Sequence, residues 1–243
     1  MSKLTSLHSL MKVKQTQLEM MKARNYDISD EETILVDTSL VYFIKFYKLD
    51  VTNKQEYGEK LSNWYRHIIT NKECNIFYTL SYYGGDKCYI PQADIQLFVR
   101  SISNNEKCDS GIIISSKMAS NNANNILRSS SISLKYTIQH FLVEELVFNP
   151  IKHFLVPVHR VLSDVEKNIF FKENKYTQAS HLPIIKAKNL HTTSKNKKDQ
   201  FGDPVAKYYA MKHDDIVCVN RINFVESVMT TEYVIFRRVE AIL

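Results

Sequence analysis

HFLVPVHRVLSDVEK, residues 153–167, carries three structural signals in close order. The apolar run HFLV (153–156) reads as a short strand, and Pro157 ends it because proline has no amide hydrogen to give to a ladder. Ser163 and Glu166 stand at the S-x-x-E spacing of a capping box, in which each side chain satisfies a free backbone donor of the other residue. A helix is therefore predicted over VLSDVEKNIFFKEN.

Towards the C-terminus, NLHTTSKNKKDQFG (189–202) is polar, basic and aperiodic, the composition of an inserted loop. Asp203 followed by Pro204 predicts a helix start, since Asp accepts from free N–H groups and Pro at the first turn has none to lose. DDIVCVNRI (214–222) and TEYVIFRRVEAI (231–242) then read as strands, closing the chain as a hairpin. Towards the N-terminus, the Asn149-Pro150 step sets a boundary near 149–152.

In the front half, Leu7, Leu10, Met11, Leu18 and Met21 fall on one face at helical spacing, the pattern of an amphipathic opening helix. Asp27, Asp30, Glu31 and Glu32 follow as a turn or the start of a second helix. LVYFIKFYKLDVT (40–52) fits strand and helix alike. EYGEKLSNWYRHII (56–69) has helical spacing, with Tyr57, Leu61, Trp64, Tyr65 and Ile68 on one side. Four short segments rich in β-branched and aromatic residues are predicted as strands: NIFYTLSYY (75–83), DIQLFVRSI (94–102), GIIISS (111–116) and LVEELVF (142–148). Between the last two, KMASNNANNILRSSS (117–131) holds a short helix capped by Ser120. The expected fold class is α/β (or α+β): an N-terminal α/β domain with a central sheet over residues 1–150, and a small C-terminal α+β domain with a mixed sheet over 151–243.

The chain has 243 residues, 44% of them hydrophobic, enough for a proper core. No apolar run approaches the roughly 20 residues that cross a membrane, and the start MSKLTSLHSLMKVKQ lacks the features of a secretory signal. A soluble intracellular protein without membrane partners is expected. Cys74, Cys88, Cys108 and Cys218 form no CxxC pair and read as reduced structural thiols. Only 5 Gly are present, and neither GxxxxGK[ST] nor GxGxxG occurs. Residues 1–150 hold 17 Lys+Arg against 16 Asp+Glu, whereas 151–243 hold 15 against 10. Lys186, Lys188, Lys195, Lys197 and Lys198 share one acid-free stretch. A solvated loop and a nucleic-acid contact both suit that local excess.

An enzyme needs a constellation of groups, and none is legible. No HExxH motif is present, and His153 and His159 are separated by Pro157 and lack acid or thiol ligands nearby, so no metal is expected. Glu144 and Glu145 are adjacent, which on a strand sends them to opposite faces. No GxSxG elbow accompanies Ser115 and Ser116, and Asp214 and Asp215 sit in a turn, where Asp is common for backbone reasons. Glu73, Asp86, Asp94 and Lys87 are the loose candidates for a metal-assisted nuclease. No catalytic residue and no cofactor are expected.

With LPII (182–185), DPVAKYY (203–209), DIVCVNR (215–221) and FRRV (236–239), the opening stretch forms an ordered series over about 90 residues. It resembles the assembly domain of the fifth common subunit of eukaryotic RNA polymerases, a family with archaeal counterparts. The family pattern runs H-x-L-V-P-x-H, L-S-x-x-E, L-P-x-I, D-P-V-A-x-x-Y/L, a strand ending in Arg, then Y-R-x-V. Upstream, ARNYDISDEE resembles the end of the family's first helix, and GIIISS with the Ser/Asn-rich start after it resembles its DNA-proximal element. Archaeal members lack the front domain, so a full-length eukaryotic type is implied. The chain departs from the family at Ala210 and Asp214, which replace glycines, and at Phe236, which replaces Tyr. Residues 189–202 interrupt a junction that is normally short. Met118-Ala119-Ser120-Asn121 stands where the family has a Thr-Pro-Ser-Ala turn.

The resemblance implies a non-catalytic subunit of a DNA-directed RNA polymerase with no small-molecule substrate. Its C-terminal domain would dock on the largest subunit, among other polymerase subunits. Its jaw-like front domain would touch downstream duplex DNA without reading sequence. The implied location is the nucleus for a cellular protein, or the cytoplasmic factory and virion for a viral one; the Asn, Lys, Ile and Tyr content suits an AT-rich genome of either kind. Lys117, Ser120, Asn121, Asn122 and Arg128 are the candidate DNA-proximal residues, because a helix N-terminus offers unpaired N–H groups to phosphate. Arg221 and Arg237, near strand ends, and Tyr208 and Tyr209, one facing the core and one a partner, are the candidate partner-binding residues. Two other classes compete. A stand-alone basic nucleic-acid binder would bind DNA tightly by itself with steep salt dependence, and a nuclease would cleave DNA with metal.

Overall fold

The structure is a computed structural model. It describes residues 7–37, 39–80, 89–174, 181–190, 202–225 and 228–242, with backbone alone at 55, 222–233 and 241–242. It is mixed α/β with two mixed sheets. Two compact units divide it: residues up to Phe148 together with Leu190, and Asn149–Asn189 together with the chain from Gly202 onward.

The first unit begins with α1 (Leu7–Ala23), a single turn at Ser29–Glu31, and the short helices α2 (Thr33–Val36), α3 (Leu40–Phe46) and α4 (Tyr57–Leu61). There follow β1 (Asn63–Arg66), β2 (Glu73–Thr79), α5 (Gln92–Ser103), β3 (Cys108–Ser115), α6 (Asn121–Leu134), β4 (Thr137–Leu142) and α7 (Val143–Leu146). The sheet order is β1-β2-β3-β4, with β1 antiparallel to β2 and the other pairs parallel. Strand period puts Phe77, Ile113 and Ile138 on one face, and there they meet Ile95, Phe98 and Ile102 of α5 and Ala123 and Leu127 of α6. Leu190 is buried in the same cluster. Gly111 permits this approach, since a Cβ there would stand 2.6 Å from the Phe98 ring. The opposite face carries Tyr65 and Tyr78, bonded to Lys14 and Gln17 of α1. On that side Gly58 lets α4 lie against β2, because a Cβ would meet the Tyr78 carbonyl oxygen at 2.6 Å.

Helix α1 forms where the spacing predicts it, but its burial extends beyond the predicted apolar face. Val13, Lys14, Thr16, Gln17 and Met20 are buried as well as Leu10, Met11, Leu18 and Met21. Lys14 is 0% exposed. Its ammonium lies 3.2 Å from Glu31 Oε1 and donates to the Leu61 carbonyl at 3.0 Å and to the Tyr65 hydroxyl at 2.9 Å. The rings of Tyr47, Tyr65 and Tyr78 stand 5.3, 5.5 and 5.7 Å from it, a cation–π cage. Glu31 also accepts from the hydroxyls of Tyr47, at 2.7 Å, and Tyr65. Burial alone would push the Glu31 carboxyl up, but Lys14 and these hydroxyls outweigh it and hold it below the usual carboxylate range. Burial lowers the Lys14 ammonium, and Glu31 offsets that only in part.

Three segments of the front half differ from expectation. DIQLFVRSI is helix α5, not a strand, because Ile95, Phe98 and Ile102 are buried at helical spacing while Leu97 is exposed. In LVEELVF, Leu142 ends β4 and Val143–Leu146 form α7, where the Glu145 carboxylate accepts from the Leu142 amide at 2.7 Å. The helix expected over 56–69 stops at Leu61. Ser62 turns extended, its hydroxyl bonded to the Gly58 carbonyl at 2.6 Å, and β1 follows with Trp64 and Ile68 exposed. The ambiguous segment 40–52 is helical from Leu40 to Phe46, as α3. NIFYTLSYY pairs from Glu73 to Thr79, and its residues 81–83 lie outside the described residues.

The second unit contains β5 (Val158–Val161), α8 (Asp164–Glu173), β6 (Ile184–Lys188), α9 (Pro204–Tyr208), β7 (Ile216–Val225) and β8 (Val228–Ile242), with sheet order β5-β7-β8-β6. The hairpin β7–β8 is antiparallel, and β6 runs parallel to β8. HFLV is not a strand. Asn149 caps a turn at Pro150–Lys152, the Val156 amide closes on the His153 carbonyl, and the ladder begins after Pro157, where no amide is lost. The capping box at Ser163 and Glu166 is formed; the Ser163 amide and hydroxyl bonds with Arg160 hold the Glu166 carboxyl down at about 2. Asp203 accepts from the amides of Val205 and Ala206. One sheet face packs Ile216 and Phe236 against Phe170 of α8, and the other packs Val217, Val219 and Val239 against Ala206 of α9. The ring of Phe236 lies 4.4 Å from that of Phe170. The Asp203 amide donates to the Lys186 carbonyl at 2.7 Å, and a Cβ on Gly202 would stand 2.6 Å from the Lys188 amide.

Both glycine replacements take left-handed backbone, Ala210 at φ 50° and Asp214 at φ 64°. Asp214 tolerates this and pairs with Arg238 at 3.1 Å, whereas alanine has only its steric penalty there. Ala210→Gly is therefore expected to stabilise the second unit by about 0.5–1 kcal/mol, read as a higher denaturation midpoint. A lower midpoint would contradict this reading of the turn.

Candidate functional site

The candidate DNA-proximal residues gather at the start of α6. Ser120 is its N-cap, accepting from the Ala123 amide at 3.2 Å. Asn121 and Asn122, in the first turn, are exposed, and Lys117 in the turn before is partly exposed. Arg128 lies two turns along on the Asn121 side and is partly buried, its Nε atom without a hydrogen-bond partner among the described residues. The helix has 14 residues, longer than expected, so its dipole is well developed at the end that carries Ser120.

The preceding turn is held by groups that spacing alone does not reveal. Ser115, the last residue of β3, donates its hydroxyl hydrogen to the Lys117 carbonyl at 2.6 Å and lies 2.7 Å from His140 Nε2 of β4. Ser115 and His140 are fully buried. The Ile90 amide donates to the Met118 carbonyl at 3.0 Å. Asn124 donates from its side chain to the Ala119 carbonyl at 3.4 Å and from its amide to the Ser120 carbonyl at 2.9 Å.

Of the candidate partner residues, Tyr208 is the one turned inward, 1% exposed, its hydroxyl 3.3 Å from Asn149 Nδ2. Tyr209 is partly buried beside it, the rings T-shaped at 5.4 Å. Arg221 and Arg237 are not near strand ends. Arg221 pairs with Tyr233 within the long hairpin, and Arg237 sits opposite Val217 with Nη1 3.4 Å from the Ile184 carbonyl. Both are partly buried. The hairpin is longer than the two sequence segments predict, which moves its ends away from the arginines.

The loose nuclease set does not assemble among the described residues. Glu73, at the start of β2, accepts from Asn105 at 2.8 Å, and Asp94 accepts from Thr79, at the other end of that strand, at 2.7 Å. Six residue steps put those ends roughly 20 Å apart. Asp86 and Lys87 lie outside the described residues, as do Cys88 and Lys195, Lys197 and Lys198 of the basic loop. His159 Nδ1 lies 2.7 Å from the Pro157 carbonyl, to which it donates, and His153 Nδ1 accepts from the Leu155 amide at 3.3 Å. No group of His, Cys, Asp and Glu placed to hold a metal occurs among the described residues. Burial pushes the Cys74 and Cys108 thiols up, to about 12 and about 11. None of the described helices is long and apolar enough to cross a membrane.

No protein-family model matches the chain. It is similar to DNA-directed RNA polymerase V subunit 5A of Arabidopsis thaliana, 26% identical over 205 residues that span 84% of this chain and 77% of the relative. It is also similar to DNA-directed RNA polymerase subunit Rpo5 of Pyrococcus horikoshii and of Pyrococcus abyssi. Each is 36% identical over 74 residues, 30% of this chain and 72% of the relative.

Proposed function

Since the chain belongs to the Rpo5 family of DNA-directed RNA polymerase subunits, we propose that it is a non-catalytic subunit whose two units divide the work of assembly and DNA contact. The likeness to Rpo5 over 72% of that chain carries the reading. Residues 151–243 form the assembly domain, docking on the largest subunit. Its surface supports this: Phe154, Leu155, Val158, Val165 and Ile169 are all exposed within one short stretch, 78% in the case of Phe154. A lone soluble unit rarely leaves so much apolar surface uncovered. Tyr209, Arg221 and Arg237 are further contacts on this reading.

Residues 1–150 form the jaw. The start of α6, with Lys117, Ser120, Asn121, Asn122 and Arg128, meets the phosphates of downstream duplex. Helix N–H groups and neutral amides position a duplex without reading its bases, as a moving polymerase requires. A nuclear location follows for a cellular polymerase.

Affinity purification of the tagged chain from its own cells tests the proposal. Recovery of the two large polymerase subunits in fixed proportion is the expected result. Recovery of the chain without them sinks the assembly role.

A further inference from the structure

We propose that Ser115 and His140 are positioning residues that clamp the turn Lys117–Ser120 and so fix where the start of α6 points, in place of the rigidity a proline would give. The purpose of the clamp rests on the DNA-contact reading; the clamp itself does not. Four consecutive carbonyls, from Lys117 to Ser120, each accept a hydrogen bond from inside the first unit. Their negative ends are thereby withdrawn. Facing out are the exposed side chains of Asn121 and Asn122 and the positive end of the helix. A carbonyl left pointing at a phosphate would repel it, so the withdrawal suits an anionic partner.

The first of the four bonds begins in the sheet. A serine hydroxyl has one hydrogen, and Ser115 gives it to the Lys117 carbonyl at 2.6 Å. Towards His140, 2.7 Å away, Ser115 can therefore only accept, which places the imidazole hydrogen on Nε2. The relay runs from the His140 N–H to the Ser115 hydroxyl to the Lys117 carbonyl. Its two side chains stand on neighbouring parallel strands, His140 opposite Ile113 and Ser115 opposite Leu142. With both fully buried, no water competes for the bonds. The turn inherits its position from the sheet, and Met118-Ala119-Ser120-Asn121 holds its shape without proline.

The test uses the full chain. In Ser115→Ala the amides of Ala123 and Asn124, which bond to Ser120, should exchange hydrogen faster by on the order of tenfold to a hundredfold, because a buried donor is left unsatisfied as well as a bond lost. Amides of β7 should keep their rates. Ser115→Thr retains the hydroxyl and should restore slow exchange. The imidazole nitrogen spectrum of His140 should show the Nε2–H tautomer. Unchanged exchange in Ser115→Ala, or an Nδ1–H tautomer in the wild type, overturns the clamp. A photo-crosslinker on Asn122→Cys in the assembled polymerase then separates the two ideas. Crosslinks to downstream DNA that Ser115→Ala weakens support both. If crosslinks are missing with Ser115 intact while the exchange results hold, the DNA reading fails and the clamp stands.

Discussion

Glu31→Gln will destabilise the first unit by about 3–5 kcal/mol. The substitution removes the countercharge of Lys14, whose ammonium has no access to solvent. Among the described residues around it, only Glu31 carries the charge that compensates it; the Leu61 carbonyl and the Tyr65 hydroxyl are dipoles. The tyrosine rings add cation–π attraction, worth about 2 kcal/mol when desolvated, too little to replace a buried carboxylate. Urea denaturation at neutral pH measures the loss, and a change under about 1 kcal/mol would show that the pair adds little. Replacing both residues, as Lys14→Met with Glu31→Leu, should come out closer to wild type than either single change, since no charge is then stranded.

The same pair predicts a pH dependence. Folding depresses the Glu31 carboxyl below its ordinary value near 4.5. A depressed carboxyl binds fewer protons folded than unfolded, so its stabilisation is complete above that range and is lost as pH falls through the native value. Wild type should therefore weaken in acid by this contribution, and Glu31→Gln should lack that part of the slope.

Tyr208→Ala will cost the second unit about 3–5 kcal/mol, the loss expected for emptying a buried aromatic site. Tyr208→Phe keeps the ring and gives up the hydroxyl, with its contact to Asn149, at about 1 kcal/mol. The contrast separates a core role from a docking role. If Tyr208→Ala stays folded with an unchanged denaturation midpoint, the tyrosine is not the anchor its burial indicates. Tyr209, partly exposed, is the place to probe docking.

Local chemistry was legible wherever one residue acts on its own backbone. Ser163 with Glu166, Asp203 with Pro204 and Ser120 all cap helices as their side-chain chemistry requires. Composition misled where apolar content was read without its period. Ile95, Phe98 and Ile102 carry a helical spacing inside a segment rich in strand formers. Lys14 was the missed signal of α1, a charge four residues from Leu10 and from Leu18 on the apolar side. A buried lysine demands a carboxylate, and Glu31 lay in the acidic segment downstream. The Ser115–His140 relay joins residues 25 positions apart through strand register, which no local pattern encodes.

The basic insertion leaves and re-enters the second unit at one spot, since the backbone at Gly202 and Asp203 lies against that at Lys186 and Lys188. Joining two points already held together makes the length of the connecting chain almost irrelevant, with each doubling costing only about 0.6 kcal/mol. Changes of length between Leu190, which is anchored in the first unit's core, and Gly202 should therefore cost the junction of β6 and α9 little.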